Sequence, residues 1–153
     1  MADTSLNENR IGLLIWQTSN VWQSKIRSKI TNFGISFNEY IILETIFNLS
    51  KISSNITQVD ISRHSFINKS VISTKLIQLY KKKYIKKLKP SDNRSNNLEL
   101  SEDGSVLIEQ IIIEVKKIER DFFDKLNQET FNFKNSLKLL LGKKIRIKAK
   151  YNE

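Results

Sequence analysis

Seven lysines, Lys75, Lys81, Lys82, Lys83, Lys86, Lys87 and Lys89, follow one another without an intervening acid. An ammonium that faces a phosphate releases a condensed counterion, so an unrelieved run of this kind favours a polyanionic partner. Immediately before and into that run stand Asn68, Lys69, Ser70, Ser73, Thr74 and Lys75, whose amide, hydroxyl and ammonium groups make hydrogen bonds rather than break covalent ones. The 153-residue chain carries 26 Lys and Arg against 16 Asp and Glu, a formal charge of +10. Charge alone does not choose between DNA, RNA and an anionic membrane.

Bond-breaking chemistry has no anchor. With no cysteine there is no thiolate nucleophile, disulfide, Cys-based metal site or thiol switch. The single histidine, His64, lacks a second His or a Cys with which to bind a metal, and reads as a surface or turn residue. No phosphate-cradling glycine loop and no nucleophile elbow occurs. Asp121 and Asp124 pair more readily with Arg120 and Lys125 on a helical surface. These residues predict a protein that is not an enzyme and needs no cofactor or metal. The opening MADTSLNENR has no apolar stretch behind a basic patch, and no run approaches the roughly 18 apolar residues of a membrane span, so the cytoplasm is the expected location.

The elements that must position these groups are mostly helical: one Pro and four Gly interrupt little, and the length suits a single folded unit. From residue 9 to residue 33, Ile11, Leu14, Ile15, Val21, Trp22, Ile26 and Ile30 recur largely at threes and fours, the period of one helix face. Gly34 can end that helix, and Ser36 with Glu39 has the spacing of a capping box opening a second helix that runs to about Leu49. Thr57 caps a short third helix over 57–64. Asn68 caps a fourth, whose inner face is Val71, Ile72, Leu76 and Leu79. Two short helices joined by a tight turn make a helix-turn-helix. Residues 84–89 and 97–100 alternate as a β-hairpin around the turn-forming segment 90–96, a wing. Ser101 caps a long helix with a stripe from Leu107 to Leu126. Asn127 is placed to cap a last helix before the basic tail, residues 142–153.

In this order of elements the chain resembles the MarR family of winged helix-turn-helix regulators. Three pieces carry the resemblance: Ile35-Ser36-Phe37-Asn38-Glu39-Tyr40, Asp92-Asn93-Arg94-Ser95 and Leu100-Ser101-Glu102-Asp103-Gly104. The chain departs from the family at Lys83, where glycine is usual, and at Tyr80, where glutamate usually follows the leucine; both lie at the exit of the fourth helix. The resemblance implies a mostly α single domain, with helical dimerisation regions at 9–33 and 101–141 around a DNA-binding lobe at 36–100.

It implies a sequence-specific regulator of transcription, bacterial in type, that binds double-stranded DNA as a homodimer on a palindromic operator, with repression as the simplest action. The fourth helix would enter the major groove with Asn68, Lys69, Ser70, Ser73, Thr74 and Lys75. None of these is the arginine that reads guanine, so direct readout should be modest or biased toward adenine and thymine contacts. In the wing, Arg94 suits a narrow minor groove, with Asp92 orienting it and Asn93 beside it. Lys81, Lys82, Lys86, Lys87 and Lys89 would face phosphates. Family members often bind a small aromatic or anionic effector. Trp16, Trp22, Phe33 and Tyr40 could line such a cleft, although aromatics at helical spacing are more often core. The rival readings are a non-specific architectural DNA binder and a winged-helix module for protein or RNA.

Overall fold

The computed structural model describes residues 8–88 and 97–147. In chain order it has α1 (Ile11–Ile30) with a 3₁₀ turn (Thr31–Phe33), α2 (Phe37–Ser50), α3 (Gln58–Ser65), α4 (Lys69–Lys81), β1 (Ile85–Leu88), β2 (Asn97–Leu100), α5 (Glu102–Phe123), a 3₁₀ stretch (Asp124–Glu129) and α6 (Thr130–Leu140). The chain divides into two compact units, residues 1–118 and 119–153. It is the mostly helical, hairpin-bearing fold that the sequence implied.

Local chemistry starts α2, α3 and α4. Gly34 takes a left-handed φ of 72° and turns the chain out of α1. The Ser36 hydroxyl then accepts from the Glu39 N–H, and the Glu39 carboxylate from the Ser36 N–H, the reciprocal capping box at the start of α2. Thr57 and Asp60 repeat the device on α3. The Asn68 side chain accepts from the Ser70 N–H to open α4. Around Ile42, Leu43 and Ile46 of α2 packs a core that takes Ile26 and Ile30 from α1, Ile61 from α3, Ile72 and Leu79 from α4, and Ile108 and Ile111 from α5, all fully buried. The apolar face of α1 is covered only toward its C-terminus. Ile11, Leu14, Ile15, Trp16 and Val21 remain exposed.

Helices α3 and α4 form the helix-turn-helix, with Phe66 in the left-handed region at φ 62°. The Ser62 hydroxyl donates to the Ile67 carbonyl at 2.7 Å, and the Ile67 N–H donates to the Ser65 hydroxyl at 3.1 Å, which ties the turn down. Strands β1 and β2 pair antiparallel in the register Ile85↔Leu100, Lys86↔Glu99, Lys87↔Leu98 and Leu88↔Asn97. The outer edge of β2 is not bare: the Leu98 N–H donates to the Ile56 carbonyl at 2.8 Å, so the connector before α3 lies along it.

The exit from α4 is closed by two backbone bonds, Tyr84 N–H to the Leu79 carbonyl (3.1 Å) and Lys83 N–H to the Tyr80 carbonyl (3.0 Å). This is a Schellman closure with Lys83 at the left-handed position, φ 62°. It explains why β1 begins at Ile85 rather than at Tyr84, where the alternation predicted it: the Tyr84 N–H is already committed to the helix. Ser101 then joins three pieces. Its hydroxyl donates to the Lys83 carbonyl at 2.6 Å and accepts from the Gly104 N–H at 3.0 Å, while its own N–H donates to the Tyr84 carbonyl at 3.0 Å.

In the second unit Phe123 packs against Phe122 and Phe133, with ring centroids 4.8 and 6.3 Å apart. Asn127 does not cap the last helix as expected. It stands at φ 46°, ψ −118°, a backbone reversal that asparagine tolerates better than most residues, and α6 starts three residues later at Thr130, whose hydroxyl donates to the Asn127 carbonyl at 2.9 Å. After α6, the Asn135 side-chain amide exchanges two hydrogen bonds with the Arg146 backbone.

Candidate nucleic-acid interface

A helix that is 13 residues long and buried along one side must present the other. On α4 the inner face is Ile72, Leu76 and Leu79, all buried, with Val71 half-buried beside them. The outward face is Lys69, Ser70, Ser73, Thr74, Ile77 and Lys81, every one of them exposed. Four of the six expected reading residues, Lys69, Ser70, Ser73 and Thr74, therefore share one stripe. Asn68 is exposed just ahead of it, with its side-chain Oδ1 spent on the cap, and Lys75 lies half-buried on the flank, donating to Gln78 Oε1 at 3.2 Å.

The hydroxyls of the stripe are already bonded. Ser70 Oγ donates to Asn68 Oδ1 at 3.1 Å, Ser73 Oγ to the Lys69 carbonyl at 3.0 Å, and Thr74 Oγ1 to the Ser70 carbonyl at 3.1 Å. Gln58, the first residue of α3, donates from Nε2 to Ser73 Oγ at 2.6 Å and so reaches across the turn to fix that side chain. Sequence reasoning missed Gln58 and Ile77. Gln58 was read only as part of the short helix over 57–64, and Ile77 departs from the polar type of the stripe, although its spacing of i+4 from Ser73 places it there.

The lysines beyond α4 have different surroundings. Lys81 is exposed. Lys82, expected to face phosphate, turns inward: Nζ lies 2.8 and 3.1 Å from the two Glu39 carboxylate oxygens and 2.9 Å from the Gly34 carbonyl. The physical reason is Glu39, 2% exposed in the core, whose carboxylate needs a counter-charge. Burial pushes the Glu39 carboxyl up, but the bonds from Lys82 and Ser36 outweigh it and hold the group below its ordinary range. On the hairpin, Lys86 pairs with Glu99 directly across the strands at 2.9 Å. Lys87 lies over the Tyr80 ring, 5.3 Å from its centroid. The Tyr80 hydroxyl is buried and without a hydrogen-bond partner among the described residues, and burial pushes it up to about 12. Lys89, Asp92, Asn93 and Arg94 lie outside the described residues.

Of the aromatics considered for an effector cleft, Tyr40 is buried, Trp22 and Phe33 pack against the core, and Trp16 is exposed. Phe37 joins Trp22 and Tyr40 edge-on, with centroids 5.7 and 6.0 Å apart. His64 is exposed on α3. No group of His, Cys, Asp and Glu among the described residues could hold a metal ion, and no described helix is long and apolar enough to cross a membrane.

No protein-family model matches the chain. The chain is 28% identical over 131 residues, 85% of its own length and 88% of the relative's, to the uncharacterized HTH-type transcriptional regulator YdcH of Bacillus subtilis. Its structure is similar to that of MepR of S. aureus in a complex with DNA, with a TM-score of 0.77 at 22% identity over 90% of this chain and 98% of that one. It is also similar to a mutant MarR from E. coli complexed with operator DNA, with a TM-score of 0.75 at 19% identity over 86% and 93% of the two chains. In element order, hairpin and helix-turn-helix, the chain has the fold of the MarR-type winged helix-turn-helix regulators.

Proposed function

We propose that this chain is a transcriptional regulator that binds double-stranded DNA as a homodimer on a palindromic operator and represses by occluding the promoter. The observation that carries the reading is the outward stripe of α4: a polar and cationic face on the second helix of a helix-turn-helix, the element that the major groove admits. In this reading Lys69 and the stripe hydroxyls meet the groove, Lys81 and Lys87 face phosphates beside it, and Lys86 joins them by leaving Glu99. Lys89, Asp92, Asn93 and Arg94 belong to the wing, with Arg94 in the minor groove and Asp92 orienting it.

Homodimer formation is supported by the apolar side chains left uncovered within one chain: Ile11, Leu14, Ile15 and Trp16 on α1, and Leu139 and Leu140 on α6. A two-fold pair of recognition helices one DNA turn apart reads a palindrome. Reading a groove and pairing two protomers require no bond to be broken, in keeping with a protein that is not an enzyme.

The test is fluorescence anisotropy with duplex DNA from the protein's own upstream region against a scrambled duplex of equal composition, over a salt series, for wild type and Arg94→Ala. A site-specific repressor binds the upstream duplex on the order of a thousandfold more tightly, and Arg94→Ala erodes that advantage. Equal binding of both duplexes with a steep salt slope supports the architectural alternative instead, and absence of binding to any duplex removes the DNA-binding reading.

A further inference from the structure

The hydrogen-bond pattern on α4 fixes what kind of base edge the row of Ser70, Ser73, Thr74 and Ile77 can read, an inference that rests on the DNA-binding reading above. Ser70, Ser73 and Thr74 each commit their one hydroxyl proton inside the protein, to Asn68 Oδ1, the Lys69 carbonyl and the Ser70 carbonyl respectively. What they turn outward is oxygen lone pairs. Ser73 is held in this state from both sides, since its oxygen also accepts from Gln58 Nε2 at 2.6 Å. The fourth residue of the i, i+3, i+4, i+7 row is Ile77, 56% exposed, which places an aliphatic side chain among the three oxygens.

Acceptor oxygens beside an aliphatic group select among base pairs. In the major groove guanine offers only acceptors, N7 and O6, which oppose the lone pairs of these hydroxyls. Adenine offers its N6 amino donor, and the thymine paired with it offers a 5-methyl group. A G·C pair supplies a donor on cytosine but no methyl. Burial of that methyl against Ile77 is therefore what separates A·T from G·C. We infer that Ile77, with the Ser70, Ser73 and Thr74 oxygens, forms a reading face for A·T pairs, in which Ile77 packs on a thymine methyl and Gln58 is the positioning residue that holds Ser73 as an acceptor.

The full-length protein is used to select duplexes from a random pool. The preferred site is then measured by anisotropy in a salt series with each thymidine of the half-site centre replaced in turn by deoxyuridine, for wild type, Ile77→Ala and Gln58→Ala. Because Ile77 is exposed, its truncation leaves the fold intact. The expected result is A·T pairs at the half-site centre and one deoxyuridine substitution that weakens wild-type binding about three- to fivefold, the loss of one buried methyl, while Ile77→Ala shows no such loss and keeps the wild-type salt slope. Gln58→Ala is expected to relax the preference for adenine beside that thymine. G·C pairs at the centre, a methyl effect equal in wild type and Ile77→Ala, or no methyl effect in wild type overturns the inference while DNA binding stands. Enrichment of no sequence by a protein that still binds DNA with a steep salt slope overturns it too, whereas failure to bind any duplex at low salt is the failure of the DNA-binding reading itself.

Discussion

The first turn of α5 lies directly on the backbone at the base of the wing: a Cβ on Gly104 would stand 1.9 Å from the Tyr84 carbonyl oxygen and 2.9 Å from its carbonyl carbon. Nothing larger than hydrogen fits at that position. The contact is set up by Ser101, which holds the Tyr84 and Lys83 carbonyls and the Gly104 N–H at once. The serine and glycine of Leu100-Ser101-Glu102-Asp103-Gly104 are thus two halves of one joint between the exit of α4 and the start of α5.

Gly104→Ala tests the joint. The added methyl meets backbone rather than the end of a flexible side chain, so the helix or the strand must move, at a cost of about 3 kcal/mol. The expected outcome in urea unfolding is a lower midpoint with an unchanged slope. An unfolding free energy within 0.5 kcal/mol, roughly the scatter of surface substitutions, contradicts the close approach.

Lys83 occupies the left-handed position of the α4 exit, where a side chain costs about 1–2 kcal/mol that glycine avoids. Allowing for the greater freedom of glycine in the unfolded chain, Lys83→Gly should stabilise the protein by about 1 kcal/mol. Lys83→Ala keeps the strain and should be close to neutral, since the lysine side chain is exposed. Thermal unfolding of the two variants at one protein concentration separates backbone strain from loss of charge, and equal midpoints would exclude strain.

The pair formed by Lys82 and Glu39 makes stability depend on acid. The Glu39 carboxyl is held below its ordinary range in the folded protein, so its contribution is complete above the unfolded value of about 4.3 and is lost as pH falls below that through the folded value. Glu39→Gln should therefore flatten the acid limb of the stability curve while costing about 1.5–3 kcal/mol at neutral pH, the range for hydrogen bonds to a charged group. Lys82→Met strands the buried carboxylate and should be at least as harmful, and the double variant should cost less than the sum. An acid limb identical to wild type in Glu39→Gln would show that another group governs it.

These cases show which features can be read along a chain. The capping box Ser36/Glu39 and the caps at Thr57, Asn68 and Ser101 were legible because each is a local spacing in which both partners sit within three residues. The strand 97–100 was legible from its alternation and from the turn-rich segment before it. The pairing of Lys82 with Glu39 was not legible because the partner lies 43 residues earlier, so a lysine among lysines looked like one more phosphate contact. Gln58 was missed for the same kind of reason, its contact with Ser73 spanning 15 residues. Asn127 was mistaken for a cap because asparagine suits both a cap and a positive φ, and only the path of the chain decides between them. The wing residues Asp92, Asn93 and Arg94 rest on the motif alone.

The sorting of the lysines predicts different salt behaviour for neighbours in sequence. A lysine whose ammonium faces a phosphate contributes about one unit to the slope of log affinity against log salt, and its removal weakens binding almost uniformly across sequences. Lys81 is exposed and Lys87 covers only an aromatic ring, so Lys81→Ala and Lys87→Ala should each lower the slope by about one and leave the ratio of specific to non-specific affinity unchanged. Lys86→Ala should lower it by less, because leaving Glu99 for a phosphate bares a carboxylate that takes up a cation as the phosphate releases one. Lys82→Met should leave the slope untouched, its ammonium being held between Glu39 and the Gly34 carbonyl. Anisotropy titrations at four or more salt concentrations read all four slopes, and a fall in the Lys82→Met slope equal to that of Lys81→Ala would mean that Lys82 exchanges Glu39 for phosphate when DNA binds.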